Sequence, residues 1–139
     1  MQLSKDFSLS ELTVTETGLT NLPDPEAMSR LFYLATFILQ PIRNTWGRIS
    51  VNSAFRTPEV NNLIGGVHSS QHLRGEAADI MPESAFIEDV FYWIQANMQY
   101  GQVILEERNE VRWIHVSLPR FYAPNQQALL FDGREYRQA

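Results

Sequence analysis

The sequence predicts an α+β domain, with helices packed on one face of a small, mainly antiparallel sheet. Three observations carry this expectation. Apolar residues recur at helical spacing in a long stretch after Asp24 and again between Phe86 and Met98, and short alternating segments separate and follow them. At 139 residues, 44% hydrophobic and 12% aromatic, the chain is large enough to bury one core. A single domain over residues 1–139 is expected, with no repeats, low-complexity tracts or linkers.

Each element has its own local cause. Asp24-Pro25-Glu26 reads as an N-cap, a proline at the first helical position and an acidic first turn. Met28, Leu31, Phe32, Ala35, Ile38, Leu39, Ile42 and Trp46 then mark the main core helix, bent at Pro41, which has no N–H for the Phe37 carbonyl. Ile49 and Val51 open a strand. Thr57-Pro58-Glu59 caps a short helix that Gly65 stops, and Gly65-Gly66 releases a loop carrying His68 and His72. A strand follows in which Ala78 and Ile80 alternate with Ala77, Asp79 and Met81, sending Ile80 to the core and Asp79 to the other face. A second helix carries Phe86, Ile87, Val90, Phe91, Ile94 and Met98. Residues 102–107 and 111–118 read as a hairpin around Asn109. Phe32, Phe37, Phe86 and Phe91 are assigned to the core by their helical spacing. Beyond Leu118 an Asp132-Gly133 turn is the main signal.

The chemistry concentrates in His72, Asp79 and His115, a candidate two-histidine, one-carboxylate metal site. An i, i+7 pair on one helix is separated by roughly 10.5 Å of axial rise, too far for side chains that must each come to about 2 Å of one ion. A bent backbone is therefore needed between His72 and Asp79, and Gly75 permits it. In the later strand Ile114, Val116 and Leu118 form the apolar side while Trp113, His115 and Ser117 face the other way. Two strands of one sheet can thus present Asp79 and His115 to one cleft. A hairpin with a two-residue turn at Asn109-Glu110 pairs Ile104 with His115 and puts Glu106 diagonally on the same face. A one-residue register change would align Glu107 there instead, so the residues alone leave two candidates for a general base.

Several blocks of the chain, in order, resemble the zinc D-alanyl-D-alanine carboxypeptidase family in its phage and bacterial peptidoglycan-peptidase branch. They are Phe7-Ser8-Leu9-Ser10-Glu11-Leu12, Leu39-Gln40-Pro41-Ile42-Arg43, the stretch from Asn52 through Ser53-Ala54-Phe55-Arg56 to Asn61, Gly65-Gly66, Ser70-Gln71-His72, Gly75, Ala77-Ala78-Asp79-Ile80, Gln102-Val103-Ile104-Leu105-Glu106 and Trp113-Ile114-His115-Val116-Ser117. The resemblance covers about residues 7–117. It implies a hedgehog/DD-peptidase-like fold, zinc held by His72, Asp79 and His115, Glu106 rather than Glu107 as general base, and Arg56 as substrate-binding and catalytic residue. Two departures are Ala54, where the family usually has glycine, and the additional imidazole of His68.

Two neutral imidazoles and one carboxylate leave zinc a net positive charge and an open position for water, whose pKa zinc can bring to about 7. A carboxylate then suits the proton transfers of peptide hydrolysis. Arg56 can offer a planar fork to a substrate carboxylate or stabilise an oxyanion, and Ser70 and Gln71 can hydrogen-bond a peptide. The resemblance implies a peptidoglycan stem peptide as substrate, cut by a carboxypeptidase or an endopeptidase. A non-haem iron oxygenase shares the ligand set but usually sits on an all-β jelly roll, whereas this chain carries two strong amphipathic helices. A silent wall-binding module has no use for a general base.

Net charge of −5, pI near 5.1 and the lack of a basic cluster argue against nucleic acid as a partner. Without cysteine there are no disulfides and no thiolate metal sites. The longest apolar stretch, residues 31–39, is far shorter than the roughly 20 residues of a membrane span, and the first residues lack a signal-peptide pattern. The expectation is a monomer made as a soluble cytoplasmic product, reaching the wall after phage-mediated release.

Overall fold

The computed structural model describes residues 1–121 and 125–139. A short helix α1 (Leu9–Leu12) is closed by a capping box in which Ser8 and Glu11 satisfy each other's backbone N–H. The long helical stretch begins as α2 (Pro25–Tyr33), whose N-cap Asp24 accepts from the Ala27 N–H at 2.8 Å. It continues as a π-helical segment (Leu34–Leu39) and ends as α3 (Gln40–Trp46).

The π segment has a reason in the sequence. Ala27, Leu31, Ala35 and Leu39 are all buried and recur every four residues. In a straight α-helix that spacing drifts about 40° per step. Wider turns absorb the drift and keep the stripe on the core, with the Gln40 N–H donating five residues back to the Ala35 carbonyl. The widened turns end at Leu39, two residues before Pro41, where the sequence predicts a bend.

The sheet has six strands in the order β1-β2-β4-β3-β5-β6: β1 (Ile49–Ser53), β2 (Ala77–Pro82), β3 (Gln102–Arg108), β4 (Val111–Ser117), β5 (Gln127–Phe131) and β6 (Tyr136–Gln138). Every neighbouring pair is antiparallel except β3 and β5. Helix α4 (Pro58–Leu63), capped by Thr57, precedes a 3₁₀ turn (Gln71–Arg74), and α5 (Ile87–Asn97) lies between β2 and β3. The core is Leu31, Leu34, Ile38, Phe91 and Ile94 from the helices against Ala78, Ile80, Val103, Ile114 and Val116 from the sheet. This is the α+β arrangement the sequence predicts. Asn109 and Glu110, at φ 52° and 65°, make the two-residue turn between β3 and β4, and Ile104 pairs with His115 as expected.

Two expectations are corrected. Phe32, Phe37 and Phe86 are not core: they are 39%, 60% and 79% exposed, and Phe91 alone of the four is buried. The first two lie beside the buried stripe, where Phe37 stacks on Tyr33 at 5.8 Å, and Phe86 precedes its helix as the N-cap. The tail holds more than a turn. Asp132 does close one, its Oδ1 accepting from the Arg134 and Glu135 N–H groups, but this turn joins β5 to β6. Strand β5 is buried on both faces, Ala128 and Leu130 against the main core and Leu129 and Phe131 against Ile104, so its apolar run shows no alternation.

Gly75 makes the bend required between His72 and Asp79. It stands at φ 74°, and a Cβ there would lie 2.7 Å from the Ala27 carbonyl oxygen. Gly75→Ala should destabilise the protein by roughly 1–3 kcal/mol, read as a lower midpoint of urea unfolding at unchanged slope.

Candidate metal centre and cleft

Alternation along β2 puts Ala78 and Ile80 in the core and Asp79 on the open face of the sheet. Asp79 stands directly opposite His115 of β4, and Ser53 of β1 stands opposite Asp79 on its other side. His72 arrives from outside the sheet, on the 3₁₀ turn. That turn is fixed at its start by Ser70, whose Oγ accepts from the His72 N–H at 3.2 Å, and by the Arg56 N–H, which donates to the His72 carbonyl at 3.0 Å.

The structure brings together the three residues singled out for metal binding: one ligand atom from each of His72, Asp79 and His115 lies within 4.8 Å of the others. His72 Nε2 is 3.3 Å from Asp79 Oδ2, and His115 Nδ1 is 3.0 Å from Asp79 Oδ1. Donors at about 2 Å from one tetrahedral ion are about 3.3 Å apart, so the spacing suits zinc. The outer ring nitrogens agree. His72 Nδ1 lies 2.6 Å from the Ala54 carbonyl oxygen, which can only accept, so Nδ1 carries the proton and Nε2 keeps its lone pair for the cluster. His115 Nε2 meets Gln71 Oε1 at 2.7 Å, while the Gln71 amide nitrogen donates to Ser117 Oγ at 3.1 Å. That leaves His115 Nδ1 as the inward lone pair. Two imidazole lone pairs and a carboxylate around one point are all acceptors, and a cation between them resolves that arrangement.

Electrostatics point the same way. Burial pulls the His72 imidazole below its ordinary value despite the nearby Asp79, which favours the neutral, ligating form. Burial pushes the Asp79 carboxyl up, but the charge and hydrogen bonds that the His72 and His115 rings supply when protonated more than offset this and hold it well below the ordinary carboxylate range.

Arg56 and Glu106 line the same cleft, a cavity of about 420 Å³ shared with Gly66, Ser70, Gln71 and Trp113. The Arg56 fork is fixed by Ser53 Oγ at 2.9 Å, Asn61 Oδ1 at 3.2 Å and Asp79 Oδ2 at 3.4 Å. Asn61 in turn donates to the Val67 carbonyl, and Gly66 leaves it room, since a Cβ there would sit 2.1 Å from Asn61 Oδ1. Glu106 stands opposite Trp113, whose Nε1 donates to its Oε2 at 2.9 Å. Burial, then the charge of Asp79, raises the Glu106 carboxyl above its ordinary value, with His115, Trp113 and Arg108 opposing the rise. Glu107 alternates to the other face and is exposed. His68 does not line the cleft. Sequence reading missed Asn61 as a support for Arg56 and the link from Gln71 to His115, because neither amide stands at a spacing that marks chemistry.

An α+β sheet carrying this donor set on its open face describes a metallohydrolase. Residues 5–117 match the family described as Peptidase M15, and the chain belongs to that family, the zinc D-Ala-D-Ala carboxypeptidases. No curated protein matches the chain. Strands β5 and β6 lie outside the matched residues. No helix among the described residues is long and apolar enough to cross a membrane.

Proposed function

We propose that the chain is a zinc peptidase that hydrolyses a peptide bond in peptidoglycan stem peptides, with His72, Asp79 and His115 as metal ligands and Glu106 as general base. The observation that carries this reading is a metal-competent trio within 4.8 Å that shares one cleft with a glutamate of raised pKa. Bound zinc supplies a Lewis acid and a water acidified to a pKa of about 7. Glu106 takes the proton of the attacking water and returns it to the leaving amine. Trp113 holds the carboxylate in place for both transfers. Arg56 binds the substrate's carboxylate or its developing oxyanion from a fork already fixed by Ser53 and Asn61. Gln71 orients His115 through the ring nitrogen facing away from the cluster, and Ser70 holds the turn that carries His72.

Mass spectrometry of purified muropeptides, digested with and without chelator, tests the reading. Release of D-alanine identifies a carboxypeptidase and new amino termini within the stem an endopeptidase. Cleavage of ordinary L-peptides with sacculi left intact would overturn the wall assignment.

Arg56→Lys keeps the charge but loses the planar fork. It should reduce kcat/KM by about 10- to 100-fold, the worth of a charged hydrogen bond or two, with zinc content unchanged by plasma emission. Wild-type kinetics in that variant would remove Arg56 from the site.

A further inference from the structure

Beyond the matched family residues, the C-terminal hairpin continues the floor of the cleft. The pairing registers place one lateral row across the open face: Ser53, Asp79, His115, Ile104, Leu129 and Gln138, one residue from each strand. The row begins at the metal-competent cluster and runs away from it over Ile104 and Leu129. On one side it is flanked by Glu106, Phe131 and Tyr136, neighbours in the same registers, with the Phe131 and Tyr136 rings 4.4 Å apart. On the other side stand Gln102 and Gln127, joined by a 2.9 Å hydrogen bond between their amides. A second cavity, of about 520 Å³, follows this row, and Gln102, Ile104 and Tyr136 line both it and the catalytic cleft. The two cavities therefore adjoin along these residues.

We propose that β5 and β6 form a subsite for the arm of the substrate peptide remote from the scissile bond, held extended and laid across the strands. This rests on the peptidase reading above and adds the part of the substrate that is gripped. From β4 to β6 there are three inter-strand steps, about 14 Å at roughly 4.8 Å each, which matches about four residues of extended peptide. The chemistry fits a peptide arm. Ile104 and Leu129 give an apolar floor for side-chain methyl groups, Tyr136 is a half-exposed aromatic wall, and the amides of Gln102, Gln127 and Gln138 can both donate to and accept from peptide bonds. A peptide lying across strands that are already paired is read by side chains, so the hairpin sets specificity through these residues.

The test uses the zinc-loaded protein and peptidoglycan stem peptides shortened one residue at a time from the end remote from the cleaved bond. In the wild type kcat/KM should climb with arm length up to about four residues. Tyr136→Ala and the double variant Gln127→Ala with Gln138→Ala change exposed side chains, and each should cut the ratio of long-arm to short-arm kcat/KM by about tenfold. An unchanged ratio in both, or no climb in the wild type, would overturn the subsite. Backbone amide shifts on titration with the full-length stem peptide separate this from the reaction itself. Shifts at Gln127, Leu129 and Gln138 without any cleavage would sink the peptidase reading and keep the subsite, whereas cleavage with shifts confined to residues around His72 and His115 would do the reverse.

Discussion

His115→Ala should lose its zinc. The variant leaves only His72 and Asp79 for an ion that takes three protein ligands in a catalytic site, and it removes the ring nitrogen that faces Asp79 Oδ1 at 3.0 Å. Plasma emission should find about one zinc per chain in the wild type and close to none in the variant. Thermal unfolding gives an independent reading. A ligand that binds only the folded state adds about 4 kcal/mol at a thousandfold excess over its Kd, so zinc should raise the Tm of the wild type and leave that of the variant unmoved. Wild-type zinc content in His115→Ala would show that the metal is held elsewhere.

Glu106→Gln should separate metal binding from chemistry. The amide is nearly isosteric, and its oxygen can still accept from Trp113 Nε1, so zinc content should hold while turnover falls by about 10²- to 10⁴-fold, the usual worth of a general base. Glu107→Gln, on the exposed face, should be mild. Carbon-13 titration of the metal-free protein should find Glu106 above the ordinary glutamate range, because burial and the charge of Asp79 both oppose its ionisation. As pH falls through that raised value the base is protonated and its role lost, and zinc loading should move the titration down by adding positive charge to the cleft. The opposite ranking of the two glutamine variants in one assay would assign the base to Glu107.

The parts of the fold that could be read from sequence are those where local chemistry and tertiary packing ask for the same thing. Asp24 and Thr57 cap their helices because their side chains meet orphan N–H groups close by in sequence. Asn109 and Glu110 turn the hairpin where expected, and the register that follows sets Glu106 on the cleft side and Glu107 on the other. Strand β5 escaped because a strand buried on both faces loses the period of two that announces strands. The π segment escaped because apolar spacing alone does not separate a widened turn from an α-helix whose stripe drifts. For the site, residue type and alternation brought His72, Asp79 and His115 into view. The link from Gln71 to His115 did not show, since it spans 44 positions, a distance that only the folded chain brings to contact.

The sheet is a thin partition with a separate duty on each side. Along β2, β3 and β4 one set of alternate residues, Ala78, Ile80, Val103, Ile114 and Val116, answers to the helices. The interleaved set, Asp79, Ile104, Glu106, Trp113 and His115, answers to whatever enters the cleft. Neighbouring positions in the chain thus answer to unrelated contacts. A substitution at Glu106 or Trp113 changes what the cleft offers a ligand, whereas one at the adjacent Ile114 changes how the sheet seats on its helices.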